Sequence, residues 1–377
     1  MIPLEPDVVV IGGGIMGCST AFFLARAGVR VTLVEKAEQV GTEASGRNAG
    51  GIRANGRKPA EVPLAIASIR LWQAFSDEYG GQFEYDQHGQ MYLARNEEEL
   101  AALRRAAPTL QGLGLGVQVV TGPDLRDLSP NLSSLVVGAL YCPTDGFANP
   151  ILATRFVGRL AERAGARILT GTALTGLVKE SGRITEVVTT RGRISTGAVV
   201  CTAGPWTNEI ARMVGVKLPI EVKPNYIAVT TPTAPVLRQF VSGHTVYIRP
   251  ARAGNLIFGG GAAGPAAGFS KASSLATLRW SAGRAAEVLP AMRHTSILRS
   301  WAGTLAYSPD HMIILDSLPG VANMLFATGC SGHGFCLGPM AGKLLAELTL
   351  GLTPSLPVDQ FRLARLGSRA VRDAEPA

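Results

Sequence analysis

The sequence predicts an α/β protein in which the two chain ends build a parallel-sheet domain and the middle builds an α+β second domain. Three observations support this prediction. Residues 8–36 alternate strand, glycine turn, helix and strand, and residues 324–350 repeat strand, glycine-rich turn and helix. Between them lie short strand-like runs from 166 to 262. At 377 residues the chain is long enough for two domains with a large core.

The N-terminal unit carries the most specific motif. After an apolar run, Gly12, Gly14 and Gly17 stand in G-x-G-x-x-G spacing, and the second apolar run ends on Glu35. Gly12 permits a tight turn, Gly14 lets backbone approach a pyrophosphate, and Gly17 lets helix and strand pack closely. Glu35 is placed to accept hydrogen bonds from a ribose. The motif therefore predicts a Rossmann-type dinucleotide site, and it leaves NAD and FAD both open.

Composition and charge exclude several classes of protein. Hydrophobic residues make up 46% and charged residues 17%, which fits burial around a large ligand or a subunit interface. The formal net charge is +8, but the 36 Lys and Arg are scattered, so we expect no nucleic-acid partner. Apolar stretches stay below the roughly 18 residues of a membrane span. The first strand starts close to Met1, so we expect no cleaved signal peptide and a cytoplasmic protein.

The cysteines indicate neither disulfides nor a metal centre. There are five, an odd number, without a C-x-x-C pair: Cys18, Cys142, Cys201, Cys330 and Cys336. No set of His, Cys and carboxylates has metal-ligand spacing. The chain also lacks the cysteines that an iron–sulfur cluster needs.

The first half of the chain continues with a loop, a helix, strands and a second helix. Residues 41–58 are rich in Gly, Ser and Asn, which predicts either a surface excursion or, by preference, a segment wrapping a cofactor. Residues 61–80 have helical periodicity and 83–93 read as strands. Residues 97–107 predict an exposed helix.

The second half predicts mostly strands. Residues 166–204 read as a small antiparallel meander that returns to a parallel strand at 199–202, ending in AGPW. Residues 216–262 alternate in strand fashion, and 271–289 form an amphipathic helix. A strand at 324–328 precedes a helix that is predicted to start at about Pro339, because proline suits the first helical turn.

Four segments together resemble a known family. They are GGGIMG with Glu35-Lys36, SGRNAGG at 45–51, the meander ending VVCTAGPW, and WAGTLAYSPD at 301–310 with GCSGHGF at 329–335. Over almost its whole length the chain resembles the FAD-dependent D-amino-acid oxidase superfamily. It is most similar to the flavin (beta) subunits of opine, hydroxyproline and proline dehydrogenases, hydrogen cyanide synthase and sarcosine oxidase. The resemblance favours FAD over NAD.

The resemblance also implies domain boundaries and cofactor contacts. The Rossmann-like FAD-binding domain takes residues 1–82, 141–215 and 301–377, and an antiparallel-sheet substrate-binding domain takes 83–140 and 216–300, as in the D-amino-acid oxidase type. The implied FAD contacts are Gly12, Gly13, Gly14, Ile15, Met16 and Gly17 at the pyrophosphate, Glu35 and Lys36 at the ribose, Ser45, Gly46, Arg47, Asn48, Ala49, Gly50 and Gly51 along the phosphates and flavin, Val178 at adenine, Ala203, Gly204 and Trp206 after the parallel strand, and Gly332, His333, Gly334 and Phe335 at the flavin pyrimidine.

Departures from the family pattern are informative as well. Gly303 stands where sarcosine oxidases carry a flavin-linking cysteine, which implies non-covalent FAD. Residues 255–258 contain no lysine, whereas oxidases of that branch use one there to assist oxygen. Leu305 replaces the arginine with which glycine-oxidase-like members hold the substrate carboxylate. The carboxylate must therefore be held by another group.

Five residues are the candidates for work on the substrate. Arg53 and Arg249 are candidate carboxylate clamps, although a phosphate or surface partner explains Arg53 equally well. Tyr226 and Tyr247 lie on strands that face the flavin in this family, with core packing as the other reading of Tyr226. His333 is either catalytic or simply held in its turn by the flavin edge.

The implied activity is oxidation of the C–N bond of an amino acid or secondary amine, resembling an opine, D-hydroxyproline, proline or sarcosine, by hydride transfer to flavin N5 in a dehydrogenase. Two alternatives stay open: an oxidase that passes electrons to oxygen, and a flavin electron-relay subunit that is inactive without its partners. The resemblance implies alpha or ferredoxin-like partner subunits in a hetero-oligomer. FMN or an iron–sulfur cluster would then belong at or in those partners.

Overall fold

The computed structural model describes residues 6–80, 82–243, 245–260, 268–269, 271, 274–367 and 372–373. The chain divides into two compact units. The first unit comprises Met1–Gly46, Ile151–Val222 and Leu305–Ala377, and the second comprises Arg47–Pro150 and Lys223–Thr304. The second unit thus includes residues 47–82, 141–150 and 301–304, which we expected in the FAD-binding domain. The first unit includes residues 216–222, which we expected in the substrate-binding domain.

The strands are numbered in chain order. They are β1 (Val8–Ile11), β2 (Val31–Val34), β3 (Gly51–Ile52), β4 (Gln90–Ala94), β5 (Gln118–Thr121), β6 (Gly138–Cys142), β7 (Gly146–Phe147), β8 (Arg167–Leu169), β9 (Leu174–Glu180), β10 (Arg183–Thr189), β11 (Gly192–Ser195), β12 (Ala198–Cys201), β13 (Val216–Lys217), β14 (Glu221–Thr230), β15 (Phe240–Gly243), β16 (Val246–Pro250), β17 (Leu256–Gly260), β18 (Ile297–Tyr307), β19 (Ile314–Ser317), β20 (Met324–Thr328) and β21 (Arg372–Asp373).

The helices are numbered likewise. They are α1 (Ile15–Arg26), α2 (Val62–Glu78), α3 (Glu97–Gly112), α4 (Gly122–Leu128), α5 (Pro150–Arg163), α6 (Thr207–Arg212), α7 (Leu275–Val288) and α8 (Gly334–Thr349). Single 3₁₀ turns occupy Pro59–Glu61, Gly204–Trp206, Pro290–His294, Asp359–Phe361 and Leu363–Leu366.

The first unit is built on a six-stranded sheet in the order β8-β2-β1-β12-β20-β19. All neighbours are parallel except β19, which runs antiparallel to β20 at one edge. Strands β1 and β2 are buried throughout, as continuous apolar runs in a parallel sheet should be. The sheet therefore joins strands from both ends of the sequence, as predicted.

The last helix, α8, packs against α1 through glycines. A Cβ on Gly342 would lie 2.9 Å from the Met16 carbonyl oxygen, and one on Gly338 would lie 2.6 Å from Ile15 Cγ2. The predicted start near Pro339 is wrong, because α8 begins five residues earlier, at Gly334. Pro339 is an interior residue there, and the tight packing with α1 outweighs the backbone hydrogen bond that proline removes.

The predicted meander is present in the first unit. Strands β9, β10 and β11 form an antiparallel three-stranded sheet, and the chain then enters β12, which is parallel to β1. Ile184, Val187 and Ile194 of the meander join the core cluster that also contains Val9 and Val199 of the parallel sheet.

The second unit is built on an eight-stranded sheet in the order β18-β14-β17-β16-β15-β4-β6-β5. From β14 to β5 the neighbouring strands are antiparallel, except that β15 runs parallel to β4. Helix α7 covers one face, where Ala285 and Val288 join a core with Ile248 and Phe258. A short ribbon of β3 and β7 lies apart from this sheet.

Two elements of the second unit differ from their predictions. The strand expected over 83–93 begins only at Gln90. Helix α3 continues past the expected end at 107 to Gly112 and contains Pro108. The proline removes the hydrogen bond to the carbonyl of Arg104, but that residue is exposed, so water can replace the bond.

Candidate functional site

A cavity of the first unit lies at the carboxyl ends of the parallel strands β1, β2 and β12. In such sheets this edge is where ligands bind. The cavity is lined by Ile11, Gly12, Gly13, Gly14, Val34, Glu35, Lys36, Gly41, Thr42, Glu43, Ala44, Ser45, Thr172, Ala173, Leu174, Thr202, Ala203, Gly204, Pro205, Trp206, Glu209, Ile210 and Met213. It therefore contains most of the predicted pyrophosphate and ribose contacts of the N-terminal half.

Each of the three motif positions requires glycine for a different structural reason. Gly12 has φ of +103°, and a Cβ there would lie 2.9 Å from the Thr202 carbonyl oxygen. A Cβ on Gly17 would lie 2.7 Å from Thr202 Oγ1, so strand and helix could not pack. Gly14 has φ of −75°, which any residue adopts, and a Cβ there would meet Ser45 Oγ at 3.0 Å. Gly14 is therefore a glycine for the sake of close approach, while the left-handed turn is at Gly12.

Glu35 is held at the cavity by backbone donors. The Gly13 N–H donates to its Oε2 at 2.6 Å and the Ala37 N–H donates to its Oε1 at 2.8 Å. Each carboxylate oxygen has capacity for a further donor, so the residue can still accept a ribose hydroxyl. The side chain thus ties the glycine turn to the end of β2 while it presents acceptors to the cavity.

The lining of the cavity also includes aromatic and apolar side chains, among them Trp206, Ile210 and Met213. The Nζ of Lys36 lies 3.2 Å from the centroid of the Trp206 ring, a cation–π contact. Val178, predicted at adenine, is not among the lining residues, and it pairs with Glu186 within the meander. The lining contribution of this segment comes from residues 172–174, at and just before the start of β9. The sequence offered no periodicity by which to choose between these two positions.

The first turn of α1 is capped from a distant loop. Gly14 at the N-cap has no side chain that could accept a hydrogen bond. Ser45 Oγ supplies this acceptor instead and binds the Ile15 N–H at 2.9 Å. The other N–H groups of a first turn have no partner within the helix and suit an anion. The cavity fits the adenosine diphosphate half of a dinucleotide, because it combines the glycine turn, the N-terminus of α1, the acceptor Glu35 and an apolar lining.

A second predicted segment precedes α8 in the same unit. Ser331 and Gly332 both have positive φ, +49° and +90°. Ser331 is kept in this conformation because its N–H donates to the Ala306 carbonyl at 2.9 Å and its Oγ accepts the Ser308 N–H at 3.2 Å. His333 is the N-cap of α8, and its own N–H donates to Cys330 at 2.7 Å. Positive-φ residues cluster at functional sites, and Ser331 was not singled out from the sequence.

This turn leads into the N-terminus of α8, and its surroundings are consistent with the family departure noted at Leu305. A Cβ on Gly332 would lie 3.8 Å from Leu305 Cδ1, so the aliphatic side chain of Leu305 lies next to the turn. Phe335 is buried, and His333 and Gly334 are half-buried. The helix N-terminus offers donors and positive potential to negative charge.

In the second unit, residues 47–51 form a tightly packed loop. A Cβ on Gly303 of β18 would lie 2.9 Å from the Arg47 carbonyl oxygen, so the position predicted to lack a flavin-linking cysteine has no space for one. Asn48 Oδ1 accepts the Gly50 N–H at 2.6 Å. Gly50 has φ of +77°, and its carbonyl accepts the Ala148 N–H at 2.8 Å. The loop then continues into β3, which pairs with β7.

Arg249 is one of the two predicted carboxylate clamps, and the structure gives it backbone partners instead. Its side chain is 3% exposed. Its Nε donates to the Ala49 carbonyl, Nη1 donates to Pro250 at 2.8 Å and Nη2 to Ala148 at 3.4 Å, while Cζ lies 5.1 Å from the Phe147 ring centroid. Burial lowers the pKa of Arg249 to about 10. These contacts favour a role in holding the loop at Ala49.

Arg53, Phe240 and Tyr247 form a second cluster in this unit. Tyr247 stacks on Phe240 with 6.0 Å between ring centroids and a 26° interplanar angle, and Arg53 Cζ lies 5.9 Å from the Phe240 centroid. Tyr247 lies across Gly259, where a Cβ would come within 2.7 Å of its Cζ. Tyr247 and Arg249 are two residues apart in β16, so their side chains lie on the same face of the sheet.

Tyr226 is not brought together with that cluster. Strand pairing aligns Tyr247, Gly259 and Ile227 in one row, so Ile227 shares the face of Tyr247 and the neighbouring Tyr226 points to the opposite face. Tyr226 is 8% exposed and lines a small cavity with Leu278 and Ser281 of α7. The register, which decides the face, could not be obtained from the sequence.

The described part of the chain contains neither a metal centre nor a membrane-spanning helix. No group of His, Cys, Asp and Glu there could hold a metal ion. None of the helices described has both the length and the apolar character that crossing a bilayer demands.

Comparison with known proteins agrees with this geometry. The chain is 27% identical over 368 residues to sarcosine oxidase subunit beta of Rhizobium meliloti (strain 1021), covering 95% of this chain and 88% of that one. It is 28% identical to glycine oxidase of Geobacillus kaustophilus (strain HTA426), covering 95% and 97%. The crystal structure of L-proline dehydrogenase from P. horikoshii superposes with a TM-score of 0.92 at 31% identity, covering 98% and 100%.

The family itself is identified over most of the chain. The model of the DAO family, described as FAD dependent oxidoreductase, matches residues 7–348. The resemblance, the fold type and the FAD cofactor predicted from the sequence are thereby confirmed. With a dinucleotide cavity at the expected sheet edge, the chain belongs to the DAO family of FAD-dependent oxidoreductases.

Proposed function

We propose that this protein is a dehydrogenase that oxidises the C–N bond of an amino acid carrying a primary or secondary amine. The observation that carries the proposal is Arg53, a cation held beside the Phe240–Tyr247 stack just after the loop of residues 47–51. Sarcosine, glycine and L-proline, named in the three relatives, each carry a carboxylate next to an amine. A carboxylate is costly to desolvate unless it is paired, and arginine pairs it bidentately.

FAD supplies the two-electron acceptor for this oxidation when it is bound. In the proposed assignment, Gly12, Gly14 and the first turn of α1 bind the pyrophosphate, and Glu35 accepts from the ribose. Residues 172–174 and Trp206 replace Val178 as the contacts of the adenine end. The turn at residues 332–335 would offer backbone donors to the flavin pyrimidine, and His333 would contribute through its position in that turn.

The substrate residues then divide by role. Arg53 binds the carboxylate, and Tyr247 orients the substrate beside the aromatic stack. Arg249 holds the loop at Ala49, and Tyr226 belongs to the core facing α7. The first unit is accordingly the FAD-binding domain and the second the substrate-binding domain.

Two features favour a dehydrogenase with non-covalent FAD. No lysine occupies residues 255–258, and the Asn255 side chain is used in a hydrogen bond to the Thr230 carbonyl at 2.7 Å. The crowding of Gly303 by Arg47 leaves no room for a cysteine thioether. Denatured protein should therefore release all its yellow chromophore, and flavin fluorescence that stays with the polypeptide on a denaturing gel would contradict this assignment.

Anaerobic bleaching of the bound flavin tests the substrate class. The panel contains glycine, sarcosine and both enantiomers of proline, with pyrrolidine as the matched amine that lacks the carboxylate. We expect at least one amino acid to bleach the flavin and pyrrolidine to fail. Equal bleaching by pyrrolidine and proline would overturn the amino-acid assignment.

A relay subunit is the second candidate function, because one relative is named as the beta subunit of a larger oxidase. Partner subunits carrying FMN or an iron–sulfur cluster would then complete the electron path. The isolated chain separates the possibilities. Reduction of an artificial dye by substrate excludes a pure relay, and hydrogen peroxide formed at a comparable rate excludes the dehydrogenase in favour of an oxidase.

A further inference from the structure

A buried carboxylate lies beneath the segment that carries Arg53. Asp145, in the turn between β6 and β7, is 0% exposed. Its Oδ1 accepts the Ala54 N–H at 2.8 Å and its Oδ2 accepts the Asn55 N–H at 2.9 Å. Both oxygens are therefore used on the two residues that directly follow Arg53.

The rest of the segment closes around this anchor. Arg53 Nη1 donates to the Asn55 carbonyl at 2.9 Å, and Arg57 Nε donates to the Arg53 carbonyl at 3.1 Å. Asn55 Nδ2 donates to Leu140 of β6 at 2.7 Å. Asn55 and Arg57 are 0% and 7% exposed. Residues 53–57 thus form a compact turn whose backbone is fixed from inside the unit.

Burying a carboxylate is costly, so its hydrogen bonds must offset desolvation. Burial raises the pKa of Asp145 to about 6, against the backbone N–H groups of Ala54 and Asn55 and the charge of Arg53, which lower it. An apolar side chain of similar size would avoid the desolvation but could not accept two N–H groups. The residue is therefore suited to fixing one backbone conformation.

We propose that Asp145 is the positioning residue for Arg53, because it holds residues 53–57 in the conformation that sets the Arg53 guanidinium beside Phe240. This inference rests on the proposed function of Arg53 as the carboxylate clamp. Asp145 acts through the two backbone donors and does not itself touch the substrate. Its effect should consequently appear in KM for a carboxylate substrate and not in FAD binding.

A double-mutant cycle tests this coupling, using the amino acid that bleaches the flavin most strongly. We expect Asp145→Asn to raise KM about 10-fold with kcat nearly unchanged, since the Asn amide turns one acceptor into a donor that faces another donor. In the Arg53→Ala background the same change should add nothing. Asp86→Asn, a half-buried aspartate paired with exposed Arg252, is the matched control and should leave KM within two-fold.

Hydrogen exchange supplies a readout that needs no substrate. The Ala54 and Asn55 amides should exchange at least 10-fold faster in Asp145→Asn than in the wild type, while the Glu35-bonded amide of Gly13 stays protected. Unchanged exchange would overturn the proposal whatever the substrate. If Asp145→Asn is recovered without FAD, Arg57→Lys, which removes the Nε bond to Arg53, should give the same KM effect at smaller size, and an unchanged KM there would overturn the proposal.

The pH profile separates positioning from general damage. Protonation of Asp145 below pH of about 6 makes one oxygen a donor, so wild-type KM should rise as the pH falls through that value. In Asp145→Asn the KM should be high throughout and lack this inflection, while protonation of the substrate amine affects both proteins alike. The charged or titratable groups that act on Asp145 are Arg53 and Cys142. Nearby along the same elements, Arg57 is hydrogen-bonded to the Arg53 carbonyl and Asp86 is paired with Phe147.

The outcomes distinguish the inference from the proposed function. If Arg53→Ala raises KM but Asp145→Asn leaves it unchanged, or the two effects add fully, the positioning role is overturned and the clamp stands. If Arg53→Ala leaves KM unchanged, the clamp itself is overturned. Raised KM in both single variants without further rise in the double variant supports both.

Discussion

The dinucleotide cavity of the first unit and the arginine–aromatic cluster of the second are built in opposite ways. The cavity depends on backbone: three glycines, a helix N-terminus and a glutamate held by two N–H groups within residues 12–37. The cluster depends on side chains from distant strands, since Arg53, Phe240 and Tyr247 meet only in the folded unit. A site built from backbone groups can therefore be predicted from the spacing of residues in the sequence. A site built from side chains depends on the register in which the strands pair.

The contrast also concerns charge. Glu35 keeps capacity for a ligand after its backbone bonds, while the buried Arg249 has its bonds to the carbonyls of Ala49, Ala148 and Pro250. Charge near a site therefore does not identify a ligand partner until its hydrogen bonds are known. Substitutions in both units test this contrast, and their expected effects range from loss of FAD binding to a small change in KM.

Gly14→Val should abolish FAD binding. The backbone at Gly14 tolerates a side chain at φ of −75°, so the loss would come from the space that the pyrophosphate needs and from the contact with Ser45 Oγ. We expect a loss of affinity of at least 100-fold, measured by flavin stoichiometry and fluorescence titration. Gly116→Val, at a glycine with nothing within 4 Å of its Cβ position, is the control and should bind normally. A fully yellow Gly14→Val protein would show that the motif is not the cofactor site.

Arg249→Ala should destabilise the second unit by about 3 kcal/mol, since it strips buried carbonyls of Ala49 and Ala148 of a charged donor. Chemical denaturation measures the change. The control is Arg252→Ala, which removes an ion pair to Asp86 with an arginine side chain 55% exposed and should cost less than about 0.5 kcal/mol. A stable Arg249→Ala protein whose only defect is a raised KM would restore Arg249 as the carboxylate clamp.

Arg365→Ala tests whether the stability of the first unit also depends on a pair of side chains that are distant in the sequence. Arg365 binds Asp310 through Nε at 2.8 Å and Nη2 at 3.1 Å. Burial works to raise the pKa of Asp310, but the hydrogen bonds of Arg365, Met312 and Ser308 outweigh it and lower the pKa. We expect a loss of about 2 kcal/mol at pH 7.

The pH dependence of this pair follows from the sign of the shift. Because the folded pKa of Asp310 lies below its unfolded value of about 3.9, the stabilisation is complete above that value and disappears as the pH falls through the folded pKa. Thermal unfolding should show a constant difference in stability between wild type and Arg365→Ala near pH 7, and this difference should become smaller as the pH falls below about 3.9. Arg30→Ala, from an exposed pair with Asp7, is the control and should change stability little at pH 7. If the difference in stability between wild type and Arg365→Ala does not change with pH, the carboxylate of Asp310 is not the source of the stabilisation.

The smallest effect should separate the two tyrosines. Tyr247→Phe removes a hydroxyl on the face that carries Arg249 and should raise KM by about 3- to 10-fold. Tyr226→Phe changes the opposite face, against α7, and should leave KM within two-fold. Steady-state kinetics on both variants decide the matter, and a larger effect at Tyr226 would contradict the strand register.

Most of the first unit could be predicted because its signals are local. Strands β1 and β2, helix α1 and the positions of Gly12 and Glu35 follow from spacing within a single βαβ unit. The sequence predicts too late a start for α8, because proline suits a first helical turn. In the structure Pro339 lies inside the helix, which packs against α1 through Gly338 and Gly342. Val178 is predicted at adenine but does not line the cavity, because the contacts of a loop depend on where it passes in the fold.

The amino-acid sequence by itself determined the family type and the glycine motif of the dinucleotide cavity. Only the tertiary structure decided that Arg249 bonds to backbone, that Tyr226 faces α7, and that Asp145 anchors the turn of Arg53. The physical reason is that a glycine turn and a helix N-terminus are set by neighbours in the chain. The face of a strand residue and the partners of a buried charge are set by register and packing between segments up to 200 residues apart.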